Sequence, residues 1–153
     1  MKRCYNCEGG RLIKAKVEER VKVGRRTFVS TLPVIRCSTC GEETFAGPDL
    51  QALELRIAGE LARHGEVAAE AFSFMRRVLG VRAMDLAEYL DVTPETVSRW
   101  EHGKQPIDRG AAALLSAMVV DRLEGRTTTV DRLKTLLKPR RLPRLVRLVP
   151  RHA

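Results

Sequence analysis

Four cysteines stand in two C-x-x-C pairs, Cys4 with Cys7 and Cys37 with Cys40, separated by 29 residues. Two thiols three positions apart on a tight bend face one ion, and two such bends complete a tetrahedral site, so the pattern predicts a structural Zn²⁺ held by Cys4, Cys7, Cys37 and Cys40. Gly9-Gly10 and Gly41 follow the pairs closely, as tight bends require. A catalytic zinc would keep a water position open beside a His or Glu ligand and a base, and these residues offer none. A thioredoxin-like redox role would need one C-x-x-C opening a helix in a βαβ unit, not two on a hairpin. The second stretch with chemistry is Thr93–Gly103, where Glu95, Thr96, Ser98 and Arg99 form one polar face of short side chains and an arginine. No catalytic residue is expected anywhere in the chain.

Each set of residues needs a scaffold. Between the cysteine pairs, Ile13, Ala15 and Val17 alternate with Lys14, Lys16 and Glu18, and Thr27–Ile35 is rich in β-branched residues. With a turn near Gly24 these runs form a hairpin that brings the two bends together. So small a module needs the metal as a staple. For the polar face, the stretch Leu79–Gly103 predicts two short helices and a tight turn. Leu86, Ala87 and Leu90 give the first helix an apolar face, and Val92 turns inward. Thr93 is an N-cap, Pro94 occupies the first helical position, and Gly103 marks the end. Val97 and Trp100 then point inward, which leaves Glu95, Thr96, Ser98 and Arg99 to read base edges.

The segment Ser98–Gly103, Ser-Arg-Trp-Glu-x-Gly, followed by Pro106, resembles the Cro/C1-like (XRE) helix–turn–helix class. Where that class carries Gln at the start of the first motif helix, this chain has Ala83, and the neighbouring Arg82 is assigned the phosphate contact. Thr93 and Lys104 join it on the DNA backbone. Together, the paired cysteines and this motif resemble the MqsA/YgiT-type antitoxins, with the match running from Cys4 to the helices after Gly103. The resemblance implies that the amino-terminal module binds a RelE-like mRNA-cleaving toxin. It further implies that the carboxy-terminal domain dimerises and represses its own operon on a double-stranded DNA operator. Arg99 matches a base-reading arginine. The asparagine expected four residues earlier is Glu95, and because Asn reads adenine whereas Glu accepts from cytosine, the operator should differ from the family's usual one. A stand-alone XRE-type regulator without a toxin is the alternative.

The expected class is α+β, with a zinc-stapled β-rich module at 1–47, a helical connector at 48–66, an all-α helix–turn–helix and dimerisation domain at 67–138 and a basic tail at 139–153. The net charge is +9, but 48–131 carries more acids than bases whereas 132–153 holds eight Lys/Arg and no acid. Phosphate attraction must therefore come from the chain ends or from a few placed arginines. No apolar run approaches a membrane span and the start lacks a signal-peptide core, so a cytoplasmic protein with no membrane partner is expected.

Leu50, Leu53, Ile57 and Leu61 give the connector helical spacing, and His64-Gly65 ends it, with His64 a surface histidine. The next run, Ala68–Leu79, keeps Phe72, Met75 and Leu79 on one face. Its Arg76 and Arg77 either touch phosphate or form an exposed charged face. Ala111–Val120 is apolar nearly all round and needs cover on more than one side. A homodimer supplies that cover and suits half-sites about 34 Å apart. The competing reading folds Val130–Leu137 back over it. The tail, interrupted by Pro139, Pro143 and Pro150, reads as a flexible basic arm on DNA.

Overall fold

The computed structural model describes residues 3–147 and has an α+β architecture, an antiparallel sheet of three strands followed by six helices. Strands β1 (Leu12–Val23) and β2 (Arg26–Cys37) form a long hairpin in register from Leu12↔Cys37 to Val23↔Arg26. The connection is two residues, Gly24 and Arg25. Gly24 has φ +56°, the positive value that the first position of so tight a turn demands. A short β3 (Glu43–Phe45) pairs with Val34, Ile35 and Arg36 of β2, giving the order β1-β2-β3. Period-two alternation divides the hairpin. Val23, Leu32 and Val34 are buried on one face, whereas Lys14, Lys16, Glu18, Arg20 and Lys22 are exposed on the other. Those charges lie on a free edge strand, where lysine discourages pairing with another chain.

Helix α1 (Gly47–Arg63) begins at Pro48 in its first turn and lies against β2, α2 and α5. It buries Leu53, Ile57, Ala58 and Leu61, so the segment expected as a connector supplies a wall of the common core. Four shorter elements complete the bundle with it: α2 (Ala69–Val78), α3 (Ala83–Leu90), α4 (Pro94–Glu101) and α5 (Arg109–Leu123). At its centre Phe72 of α2 meets Trp100 of α4 edge to face, with ring centroids 5.9 Å apart at 78°. Hairpin residues Val23 and Leu32 join the same apolar cluster, so sheet and helices share one core.

Helix α6 (Thr128–Leu137) turns back onto α5 and α3 and buries Leu133. Helix α5 thus finds cover within its own chain from α1, α2 and α6. Asp121, buried on α5, accepts the backbone N–H of Thr129 at 2.7 Å and so anchors the first turn of α6. Residues 139–147 have no regular secondary structure and are exposed. The rest of the basic tail, 148–153, lies outside the described residues.

Candidate metal centre and nucleic-acid interface

The hairpin register explains how cysteines so distant in sequence meet. Leu12 pairs with Cys37 at the open end of the ladder, and an isolated bridge Arg3↔Arg11 carries the first cysteine pair alongside the second. The four sulfurs lie within 4.8 Å of one another, with Cys4 Sγ 3.7 Å from Cys40 and Cys7 Sγ 3.6 Å from Cys37. All four are free thiols, so together they could hold a metal ion. Backbone bonds shape each bend. Glu8 N–H donates to the Cys4 carbonyl at 2.9 Å, and Gly41 N–H to that of Cys37 at 3.1 Å. A side chain at Gly10 would place its Cβ 2.0 Å from Cys37 Sγ, so the first bend closes on the sulfur only because residue 10 has none.

The sulfurs are electrostatically unequal. Backbone N–H groups of Cys40 and Thr39 point at Cys37 and lower its thiol to about 6, so its thiolate is formed readily. Cys40 receives one such bond from Glu42, but partial desolvation and the neighbouring sulfurs outweigh it and raise the group to about 12. Such crowding favours a bound cation, which neutralises several thiolates at once. Outside the sulfurs, Glu42 accepts from Tyr5 Oη at 3.1 Å and Asn6 Nδ2 at 3.4 Å, tying one bend to the other.

On the helical side, α3 and α4 are joined by Asp91, Val92 and Thr93, with Asp91 in the left-handed region at φ 53°. Thr93 Oγ1 accepts the Thr96 N–H at 3.2 Å and caps α4, and Pro94 follows where no N–H is missed. At the other end Gly103 and Lys104 donate their N–H groups to the carbonyls of Trp100 and Arg99, at 3.1 and 2.9 Å. Val97 and Trp100 are buried beneath α4, and Glu95, Ser98 and Arg99 are exposed above it, while Thr96 is half-buried. Arg99, Glu95 and Lys104 have no side-chain hydrogen bond or ion pair among the described residues.

An ion pair fixes the angle of α4. Arg76 of α2 grips both carboxylate oxygens of Glu101 and donates to the Val81 carbonyl at 2.8 Å, with the two side chains 14% and 11% exposed. Arg76 is therefore structural, whereas Arg77 is exposed. Arg82 is committed elsewhere. Its guanidinium forks onto Asp85 at 2.8 and 2.7 Å in the first turn of α3. That pairing is visible in sequence as an i,i+3 spacing, and it holds the Asp85 carboxyl below its ordinary value. His102, which no sequence pattern marks, has its Nδ1 2.7 Å from the Ser98 carbonyl at the end of α4.

No protein-family model matches the chain, and no curated protein matches it. No described helix is long and apolar enough to cross a membrane.

Proposed function

We propose that this protein is a sequence-specific DNA-binding repressor that acts as a dimer and serves as the antitoxin of a toxin–antitoxin pair. The observation that carries the reading is the division of α4: Val97 and Trp100 fasten it to the core, and Glu95, Ser98 and Arg99 project outward. Arg76 and Glu101 hold its axis. A helix so presented enters the major groove with Arg99 donating to guanine O6 and N7 and Glu95 accepting from cytosine N4. Thr96 and Ser98 contact neighbouring base edges, Thr93 and Lys104 lie toward phosphates, and Arg82 reaches one only in competition with Asp85. Promoter occlusion by a dimer on two half-sites is the mechanism of repression. The 70% exposure of Leu136 on α6 supports that helix as the pairing surface of the proposed dimer.

Zinc is the metal assigned to the cysteine site. A tetrahedron with Zn–S bonds of about 2.3 Å has edges of about 3.8 Å, close to the 3.7 and 3.6 Å separations of the two sulfur pairs. All four positions are filled by sulfur, so the ion is structural and leaves no place for substrate water. The resemblance to MqsA/YgiT-type antitoxins supports a RelE-like toxin as partner of residues 1–47.

The test is co-expression with the neighbouring gene, followed by identification of what co-purifies and by binding to the upstream DNA. A small partner whose toxicity disappears on co-expression, together with binding to the shared promoter, is the expected result. DNA binding without a partner makes the protein a stand-alone regulator. Failure to bind the upstream DNA overturns the repressor reading.

A further inference from the structure

Along one side of the hairpin runs a cleft that the DNA-binding reading does not use. Its volume is about 260 Å³, and Phe28, Val29 and Ser30 of β2 form one wall. Successive strand residues point to opposite faces, so three in a row can line a cleft only where it opens along the strand's edge. That edge is free here, because β3 pairs with Val34, Ile35 and Arg36 alone and leaves the outward backbone groups of Phe28–Ser30 without a ladder partner. The facing wall is α1, and Leu123 at the end of α5 lies against Gly59 to close the floor.

One stripe of α1 decides what chemistry the cleft accepts. Leu53 and Ile57 supply apolar floor, and Arg56, Glu60 and Arg63 flank them at helical spacing. Glu60 is already balanced, with Arg63 and His64 each 3.7 Å away. Arg56 has no hydrogen bond or ion pair among the described residues. The cleft therefore combines an apolar floor, unpaired backbone groups and one uncompensated guanidinium at its rim.

We propose that this cleft binds a small amphipathic carboxylate, with its alkyl chain along Phe28, Leu53, Ile57 and Leu123 and its head group on Arg56. A guanidinium and a carboxylate form two parallel charge-assisted hydrogen bonds, which single out an anion over a cation or an alcohol of equal length. The volume falls below that of pockets for drug-sized ligands, so the chain is short. The ligand bridges hairpin, α1 and α5, and binding requires neither DNA nor a partner protein.

The test titrates decanoate, kept below its micellar concentration, into the intact metal-loaded protein and follows backbone amide shifts and thermal unfolding. Saturable shifts centred on Phe28, Val29 and Ser30 with a raised Tm are expected, and decylammonium at equal concentration should produce neither. Arg56→Gln should weaken decanoate about tenfold or more, as loss of a charge-assisted contact implies, while Arg56→Lys retains part of the affinity. Arg56 is exposed, so its replacement leaves the core untouched. Equal shifts with decylammonium, shifts away from β2, or unchanged affinity in Arg56→Gln would each overturn the proposal. Since no DNA is present, none of these outcomes bears on the repressor reading.

Discussion

Arg99 has no partner in its own chain among the described residues, so its guanidinium keeps every donor available for a base edge. Arg99→Ala should cost about 1–3 kcal/mol of operator binding and relax specificity at one position. Competition titrations with single-base operator variants measure both, and unchanged affinity would mean that α4 meets DNA in another register. Arg82 is the opposite case, because Asp85 already holds it. Any phosphate must compete with that carboxylate, and Asp85 also sets a negative charge at the helix N-terminus where a phosphate would lie. Asp85→Asn should therefore strengthen DNA binding on all sequences alike and steepen the salt dependence by about 0.9 in log–log slope. A fall in affinity would remove Arg82 from the backbone contacts. The four cysteines were legible from spacing alone, because ligand geometry restricts sequence separation so tightly. Arg82's pairing left only the i,i+3 spacing of Asp85 as its trace in the sequence, and that spacing permits the contact without requiring it.

At the scale of elements, caps and turns carried the signal. Thr93-Pro94 and Gly103 bracket α4 in sequence and in structure, because each residue type satisfies a specific end of the helix. The turn near Gly24 likewise followed from an alternating run before it and a β-branched run after it, although its two-residue length emerged only from the strand register. The packing of α5 was less legible. An all-round apolar helix announces that it must be covered but not by what, and cover comes from α1, α2 and α6. What fixes α6 is Asp121, whose carboxyl the Thr129 N–H and hydroxyl, and then Arg126, hold below its ordinary value. A carboxylate with a depressed folded pKa stabilises fully above its unfolded value, about 3.9, and loses that contribution as the pH falls through the lower folded value. Docking of α6 should thus be intact at neutral and mildly acidic pH and loosen only in strong acid. Amide hydrogen exchange over 128–137 measures this. Asp121→Asn should lower the protection factors at neutral pH and abolish their own acid dependence, and unchanged protection factors would show that Leu133 alone holds the helix.

For the molecule as a whole, the cysteine cluster and the core hold different ends of the hairpin. Its turn end carries Val23 into the cluster shared with Phe72, Met75 and Leu115, whereas the cysteine end, beyond Val34 and its partner Phe45, buries little besides Cys4, Cys37 and Gly10. Apolar burial stabilises the first end without help, and under the zinc proposal the second depends on ligation. A sequence divided into a metal module and a helical domain does not reveal this, because Val23 and Leu32 look like ordinary strand residues until their contacts across the fold are known. The consequence is a partial response to chelation. If the site holds zinc as proposed, its removal should open the two bends and loosen the start of β3 while Phe45, the helices and the turn end of the hairpin remain packed. Far-UV circular dichroism at the helical minimum should change little, and amide signals of residues 3–13 and 36–44 should collapse toward unfolded positions. Operator affinity should persist, since α3, α4 and their support by Arg76 and Glu101 lie wholly within the helical core. If chelation instead unfolds the helices together with the bends, the shared core is too weak to stand without the metal, and sheet and helices form one cooperative unit.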